Sequence, residues 1–420
     1  MDPRLCVLCR GRGWCGRVYC PVLAKASALA SLLPKLSPES TDLEGFSPPT
    51  VFVGRVGYPR VLAGVGATPD LGKAVVGDSP EAWIGMRLEE VLAARLSIVF
   101  GRKRVSVLDT ESRFVSKLQE VALSAKPLDL EIAFEKPPKP VVSLSAFEPP
   151  MGPRGVAKDV RVYGSSSSWR VVERVYSDGD LRAFDAIVEL YRHGVPVSAI
   201  QRLLSVGALG RKGWRRLVPT RWAITAVDDA IGRWLASRVR SYPELGEAMA
   251  FVRKVEGNTF VAIFLPGKWS FEWLEAWFPG STWNPAGREV VIEGDFEGFG
   301  GRKDYPSIGG CYFASRLAVL EYLDRVGRQA TVVTLREIYP GFDIPIGVWF
   351  VRENVREMLR GKPIKLRGLE DLRELLDRFT KLGSSTWINA SRILSRLARV
   401  KPLDRYLGSY TTGSHRHQGT

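Results

Sequence analysis

Histidine is nearly missing from this chain. Its three copies are His193, His415 and His417, the last two in a polar tail, which leaves little material for histidine-based acid–base or nucleophilic chemistry. No phosphate-loop signature and no Gly-x-Ser-x-Gly elbow occurs, which argues against a motor ATPase and against a serine hydrolase. Asparagine and glutamine number four each, and such depletion of heat-labile amides marks proteins adapted to high temperature. Apolar runs are short, well under the roughly 18 residues of a membrane span, so no membrane-crossing helix is expected. The first residues hold cysteines and arginines where a signal peptide carries its apolar segment, and a cytoplasmic protein is expected. Cysteine is scarce as well. Four of the five copies lie between positions 6 and 20, a distribution that suits a metal better than a disulfide framework, although heat-adapted intracellular proteins also carry disulfides.

What is abundant is positive charge. The 420 residues carry a net charge of +15, with arginine outnumbering lysine 43 to 17, while 45% hydrophobic content keeps the chain in the globular range. A polyanion is therefore an expected partner. The charge is densest in RKGWRRLVPTRWAITAVDD, residues 211–229. No acidic residue occurs between Gln201 and Val227, whereas Arg211, Lys212, Arg215, Arg216 and Arg221 crowd in with Trp214 and Trp222. Guanidinium forks grip phosphate oxygens and indoles offer flat faces to bases, so Arg211, Lys212, Trp214, Arg215, Arg216 and Arg221 are the expected DNA-binding residues. The competing reading of any such run is a solvated basic loop over core tryptophans. A second basic and aromatic cluster is Arg55, Tyr58 and Arg60, and GRKR at 101–104 is a further exposed basic patch.

Spacing at the N-terminus is Cys6-x2-Cys9-x5-Cys15-x4-Cys20, interleaved with Gly11, Gly13 and Gly16. Four thiolates on two short knuckles close a tetrahedron around Zn²⁺, so Cys6, Cys9, Cys15 and Cys20 are expected to hold a structural zinc. Five regions follow from the pattern: a zinc-binding knuckle (1–22), an α+β lobe (23–150), a central helical region with the basic stretch (151–245), an α/β lobe (246–399), and a tail (400–420). The expected fold class is mixed α/β. Helices are expected over 23–36, 83–96, 178–191, 197–204 and 311–325. Strand-like alternation is read over 47–66, and strands over 259–265, 289–293, 330–335 and 346–351. Residues 352–399 read as helical with breaks near Pro363 and Gly383, residues 136–153 as a proline-rich connection, and the tryptophans at 269, 273, 277 and 283 as core.

Carboxylates gather once. Glu293, Asp295 and Glu297 follow a strand-like run, with Arg302, Tyr305, Ser307, Arg316 and Glu321 soon after. Glu297, Asp295, Arg302, Tyr305 and Arg316 are the candidate catalytic residues, joined by Arg336, Glu337, Arg352, Glu353 and Asn354 if neighbouring strand ends converge. Two chemistries suit the set: Mg²⁺-assisted phosphodiester cleavage, or transfer of ADP-ribose from NAD to DNA, the second slightly favoured because arginines and aromatics outnumber acids. Against both stands a glycine-rich turn with no chemistry at all.

Five separated segments resemble the archaeal Nre family: the cysteine cluster followed by Pro21, SPPTVFVGRVGYPRV, RRLVPTRWAITAVDD, YPSIGGCYFASRLAVLEYL and IGVWFVRENVRE. The resemblance extends from Cys6 to about Leu407. It implies DNA repair alongside a sliding clamp of the proliferating cell nuclear antigen type, and a zinc-finger-like N-terminus. It also implies a C-terminal clamp-binding peptide of glutamine, an aliphatic residue three positions on, and two aromatics. In VKPLDRYL at 400–407, Leu403, Tyr406 and Leu407 fall on the apolar anchors, with Val400 in place of the glutamine and Leu407 in place of an aromatic. The resemblance thus points to a clamp-recruited DNA-binding repair factor, with a DNA-acting enzyme as the alternative.

Overall fold

The computed structural model describes residues 40–139, 151–163, 168–281, 283–284, 287–340, 342 and 347–399. The four N-terminal cysteines, the 23–36 helix, most of the proline-rich connection and the 400–407 peptide lie outside the described residues.

Two sheets organise the chain. The first is a closed barrel of β1 (Asp42–Val53), β2 (Arg60–Thr68), β3 (Val99–Ser106), β4 (Leu128–Phe134) and β5 (Arg154–Tyr163), in the order β1-β2-β3-β5-β4. Strand β1 is shared: its first half pairs with β4 and its second half with β2, and the register shifts between Phe46 and Thr50. Pro48 and Pro49 fall inside that shift, where the missing N–H groups cost the ladder least. Alternate residues point inward. Val51, Val53, Val61, Ala63, Val65, Leu130 and Ile132 are buried, the alternation a filled barrel requires. Backbones come close at β2–β3, where a Cβ on Gly64 would stand 2.1 Å from the Gly101 carbonyl oxygen. Helices α1 (Leu71–Val76) and α2 (Leu88–Leu96) intervene between β2 and β3, and α3 (Arg113–Leu123) between β3 and β4. The pair β3–β5 is parallel and the other barrel pairs are antiparallel. A five-stranded order of this kind, with its one parallel pair and a helix after β3, is the arrangement of the oligonucleotide/oligosaccharide-binding barrel. Strand β5 begins after residue 150, so the barrel runs across the boundary expected there.

The central region supplies α4 (Arg170–Ser177), α5 (Ala183–Arg192), α6 (Val197–Ser205), a 3-10 turn (Lys212–Trp214) and α7 (Thr220–Val239). Most of α6 is buried, and it packs against α5 and α7. The second sheet has β6 (Ala248–Val255), β7 (Asn258–Leu265), β8 (Ser270–Trp277), β9 (Val291–Glu297), β10 (Thr331–Ile338) and β11 (Ile364–Leu366), ordered β11-β6-β7-β10-β8-β9. Every residue of β7 is buried, as expected of a strand covered on both faces. One face packs on α7, α8 (Gly310–Val326) and α9 (Trp349–Met358), in a core continuous with the barrel's. The other is covered by α10 (Leu369–Phe379), α11 (Gly383–Ala390) and α12 (Arg392–Arg399).

Several sequence expectations change here. Within the strand expected at 346–351, residues 349–351 instead open helix α9, because a short apolar run has no period to distinguish the two states. The strand expected at 289–293 is displaced to β9, and helix 83–96 shortens to α2, preceded by a 3-10 turn at Pro80–Ala82. Helix 178–191 begins only at Ala183, since the Asp178 carboxylate accepts the N–H groups of Asp180 and Leu181 and holds a turn. Trp269 and Trp273 are core and Trp277 packs against it, but Trp283 is 39% exposed. Among the described residues no helix is long and apolar enough to cross a membrane.

Candidate nucleic-acid interface

The basic stretch is fixed in place by its own backbone. The Leu217 N–H donates to the Val107 carbonyl (2.8 Å), the Val218 N–H to Ser205 (2.9 Å), and the Thr220 hydroxyl accepts the Val53 N–H (2.9 Å). Residues 215–222 therefore run beside the end of β3 and the base of the β1–β2 hairpin. Buried Leu217 and Ala223 anchor the strip at both ends.

Side chains along it divide into two kinds. Arg215 is half-buried: its Nε donates to the Gly210 carbonyl (2.7 Å), its Nη2 to those of Tyr176 (2.8 Å) and Asp178 (3.0 Å), and the guanidinium lies over the Tyr176 ring. Burial pushes the Arg215 pKa below its ordinary value, only partly countered by Tyr176 and Asp178. It organises the loop. Arg211, Lys212, Trp214, Arg216 and Arg221 are exposed, Trp214 by 75%. Arg211 donates to the Asp180 carbonyl (3.3 Å), and none of these cations forms a salt bridge with another described residue.

The hairpin between β1 and β2 reaches the same face. Tyr58 meets Trp222 with ring centroids 5.4 Å apart and planes tilted by 49°, and both rings are 46% exposed. Arg55, Arg60 and Arg104 are exposed around them, Arg104 donating to the Arg60 carbonyl at 3.0 Å, while Lys103 turns to the Phe114 ring of α3. Two clusters more than 150 positions apart in the chain thus become one basic, aromatic surface, and Trp222 joins the site residues expected from sequence. Its signal was an indole at the start of a helix, which sequence alone does not distinguish from core.

The carboxylate cluster behaves differently. Asp295 and Glu297 point to the same side of β9, as alternate residues do. Glu297 is buried and its Oε1 accepts from Arg316 Nε (2.8 Å) and Trp269 Nε1 (3.0 Å). Arg316 reaches on to Asp229 (3.7 Å), over Gly232 of α7, where a Cβ would stand 2.7 Å from Nη1. Burial raises the Asp229 carboxyl, with Arg233 and Arg316 offsetting part of the rise. Asp295 binds Arg302 and the Ser307 N–H (2.8 Å); burial pushes it up, but those donors outweigh burial and hold it below the usual carboxylate range. Tyr305 stands outside the set, 64% exposed against the Phe313 ring. The further arginines expected to join do not: Arg336 bonds Glu275 (3.0 Å) among Phe260, Phe342 and Phe350, and Arg352 bonds Asp228 (3.0 Å). Glu337 is engaged by the N–H groups of Lys381 and Leu382 and by Trp387 Nε1. Among the described residues no group of three or more His, Cys, Asp or Glu side chains converges as metal ligands.

A basic, aromatic face on a five-stranded barrel and its neighbouring helix, backed by a second α/β sheet, defines a class of two-sheet protein with a surface suited to polyanions. Sequence comparison gives the family. The profile for archaeal Nre, N-terminal, matches residues 14–284 and that for archaeal Nre, C-terminal, residues 297–406, so the chain belongs to the archaeal Nre family. It is 45% identical to DNA repair protein NreB of Archaeoglobus fulgidus, over 93% of this chain and 97% of that one. It is 35% identical to DNA repair protein NreA of the same organism, over 87% and 91% of the two chains. Against DNA repair protein NreA of Haloferax volcanii the identity is 36%, over 77% and 80%. No solved structure matches. The first profile ends after β8 and the second begins at Glu297, the last residue of β9; β8 and β9 are adjacent strands of one sheet, so the two halves fold together.

Proposed function

We propose that the chain is a DNA-binding repair protein that holds DNA on the surface formed by residues 54–60, Arg104 and residues 211–222. The observation that carries this reading is the convergence of exposed arginines and aromatic rings from the barrel and from α7, without salt bridges to described acidic residues. The naming of its relatives as DNA repair proteins supports the same conclusion. Phosphate contacts by arginine supply affinity that is insensitive to sequence and steeply dependent on salt. In full-length protein, the double variant Arg216→Glu, Arg221→Glu should bind DNA at least tenfold more weakly. Its plot of log affinity against log salt should flatten by about 0.9 for each phosphate that the variant no longer neutralises. A folded variant with wild-type affinity and slope would refute the assignment.

Recruitment by a sliding clamp is the second part of the proposal. The supporting feature is Leu403, Tyr406 and Leu407 in the tail, a set that plugs an apolar pocket as one helical turn in the manner of helix-in-groove peptides. Removing residues 400–420 should abolish clamp association in a pull-down and leave DNA affinity within about twofold, given that tail charges are few beside the surface above. Equal clamp capture by the truncated chain would move recruitment elsewhere.

A further inference from the structure

The interface carries more aromatic surface than a phosphate-binding face needs. Duplex DNA presents phosphates outward and keeps base faces stacked within, so exposed rings beside the arginines would find nothing to stack on. An unpaired strand offers both phosphates and base faces. Here three rings, Tyr58, Trp214 and Trp222, stand exposed among Arg55, Arg60, Arg104, Arg216 and Arg221. Exposed indoles and phenols grouped in this way, rather than scattered singly, mark an interaction surface.

Geometry narrows the binding mode. At 5.4 Å between centroids, Tyr58 and Trp222 are too close to sandwich a base, which needs roughly 7 Å, twice the stacking repeat of about 3.4 Å. The pair instead forms one tilted platform whose outer faces are open. Its location is the β1–β2 loop of a barrel of oligonucleotide-binding topology, with the exposed end of β3 alongside. Trp214, on the 3-10 turn earlier in the same basic strip, adds a second stacking face. Arg215 and its three backbone carbonyls fix the stretch that carries Trp214 and Arg216, so the faces are presented without prior ordering of the loop.

We infer that this surface selects single-stranded DNA over duplex, with bases stacking on the Tyr58–Trp222 platform and on Trp214 while the surrounding arginines track the phosphates. The inference rests on the DNA-binding reading above and adds the form of DNA. It is tested with the full-length chain and two fluorescent probes, an oligothymidylate and a mixed-sequence duplex of the same length, titrated at one salt concentration. Wild type should bind the single strand at least about tenfold more tightly. Tyr58→Ala and Trp222→Ala should each weaken single-strand binding by roughly fivefold or more and duplex binding by clearly less, and Trp222→Phe, which keeps a ring, should restore most of the single-strand loss. Thermal melts of each variant separate lost stacking from lost fold. Equal or tighter duplex binding, or an equal loss on both probes, overturns strand selection and leaves DNA binding standing. Failure of wild type to bind either probe overturns both.

Discussion

The surface around Trp222 and the interior around Glu297 are built from the same residue types, and they do opposite things. Both gather arginines with aromatic rings. At the surface, Arg216 and Arg221 reach solvent with no acidic partner among the described residues, and the rings are half-open. In the interior, Glu297 already accepts two donors, Arg302 lies over Tyr312 while holding Asp295, and Arg316 spans two carboxylates. A recognition surface needs hydrogen-bonding capacity left unspent, whereas a folding contact is finished when that capacity is used up. Neighbours in sequence show the same split: Arg215 is consumed by three carbonyls, and Arg216 by none among the described residues.

The largest expected effect lies where the interior is deepest. Arg352 is fully buried between Asp228 and Glu353, and Glu353 bonds Arg356, which bonds Glu321 of α8. Gln201 also donates to Asp228 (2.8 Å), so α6, α7, α8 and α9 meet at one charge network. Replacing Arg352 with Met removes one member of a buried pair and should cost about 3–5 kcal/mol of stability in urea denaturation. Acidity should modulate that loss. Burial already pushes the Asp228 carboxyl up to about 6, with Arg352 opposing the rise. A carboxyl whose folded pKa lies above its unfolded value of about 3.9 favours the fold most below that value, and loses its contribution as pH climbs through the folded pKa. Without Arg352 the folded pKa rises further, so the variant should be penalised more at about pH 8 than at about pH 5. A penalty under about 1 kcal/mol, or one flat with pH, would mean that the network contributes little to the fold.

Glu297→Gln sharpens the comparison at smaller scale. The amide keeps one acceptor but leaves the Arg316 charge to the more distant Asp229 (3.7 Å), and about 2–3 kcal/mol should be lost in a thermal melt. The comparison breaks if the variant melts like wild type and yet abolishes a DNA modification that depends on NAD or Mg²⁺. Glu297 would then belong to chemistry after all.

How much of this was legible beforehand follows the range of the signal. The density of arginine and tryptophan in 211–222 is a local property and could be read directly, as could α6, α8 and β7, whose patterns are long and regular. The barrel could not. Its β1–β4 pairing joins residues more than 80 apart, and glycines and prolines interrupt the strands that would announce it. Edge strand β9 reads VIEGDFE, too acidic to look like a strand, and its buried Glu297 is explained by the arrival of Arg316 from α8 and of the Trp269 indole from just before β8. The meeting of Tyr58 with Trp222 had the same difficulty: each cluster was visible, their contact was not.

Hydrogen exchange on the full-length chain, with and without a single-stranded DNA oligonucleotide, tests the central claim most directly because it reads both regions in one experiment. The account predicts slowed exchange in 54–60 and 211–222, and unchanged exchange in 293–316, where the backbone and charges are already committed. Protection confined to 293–316, with none at the hairpin or the basic strip, would contradict it.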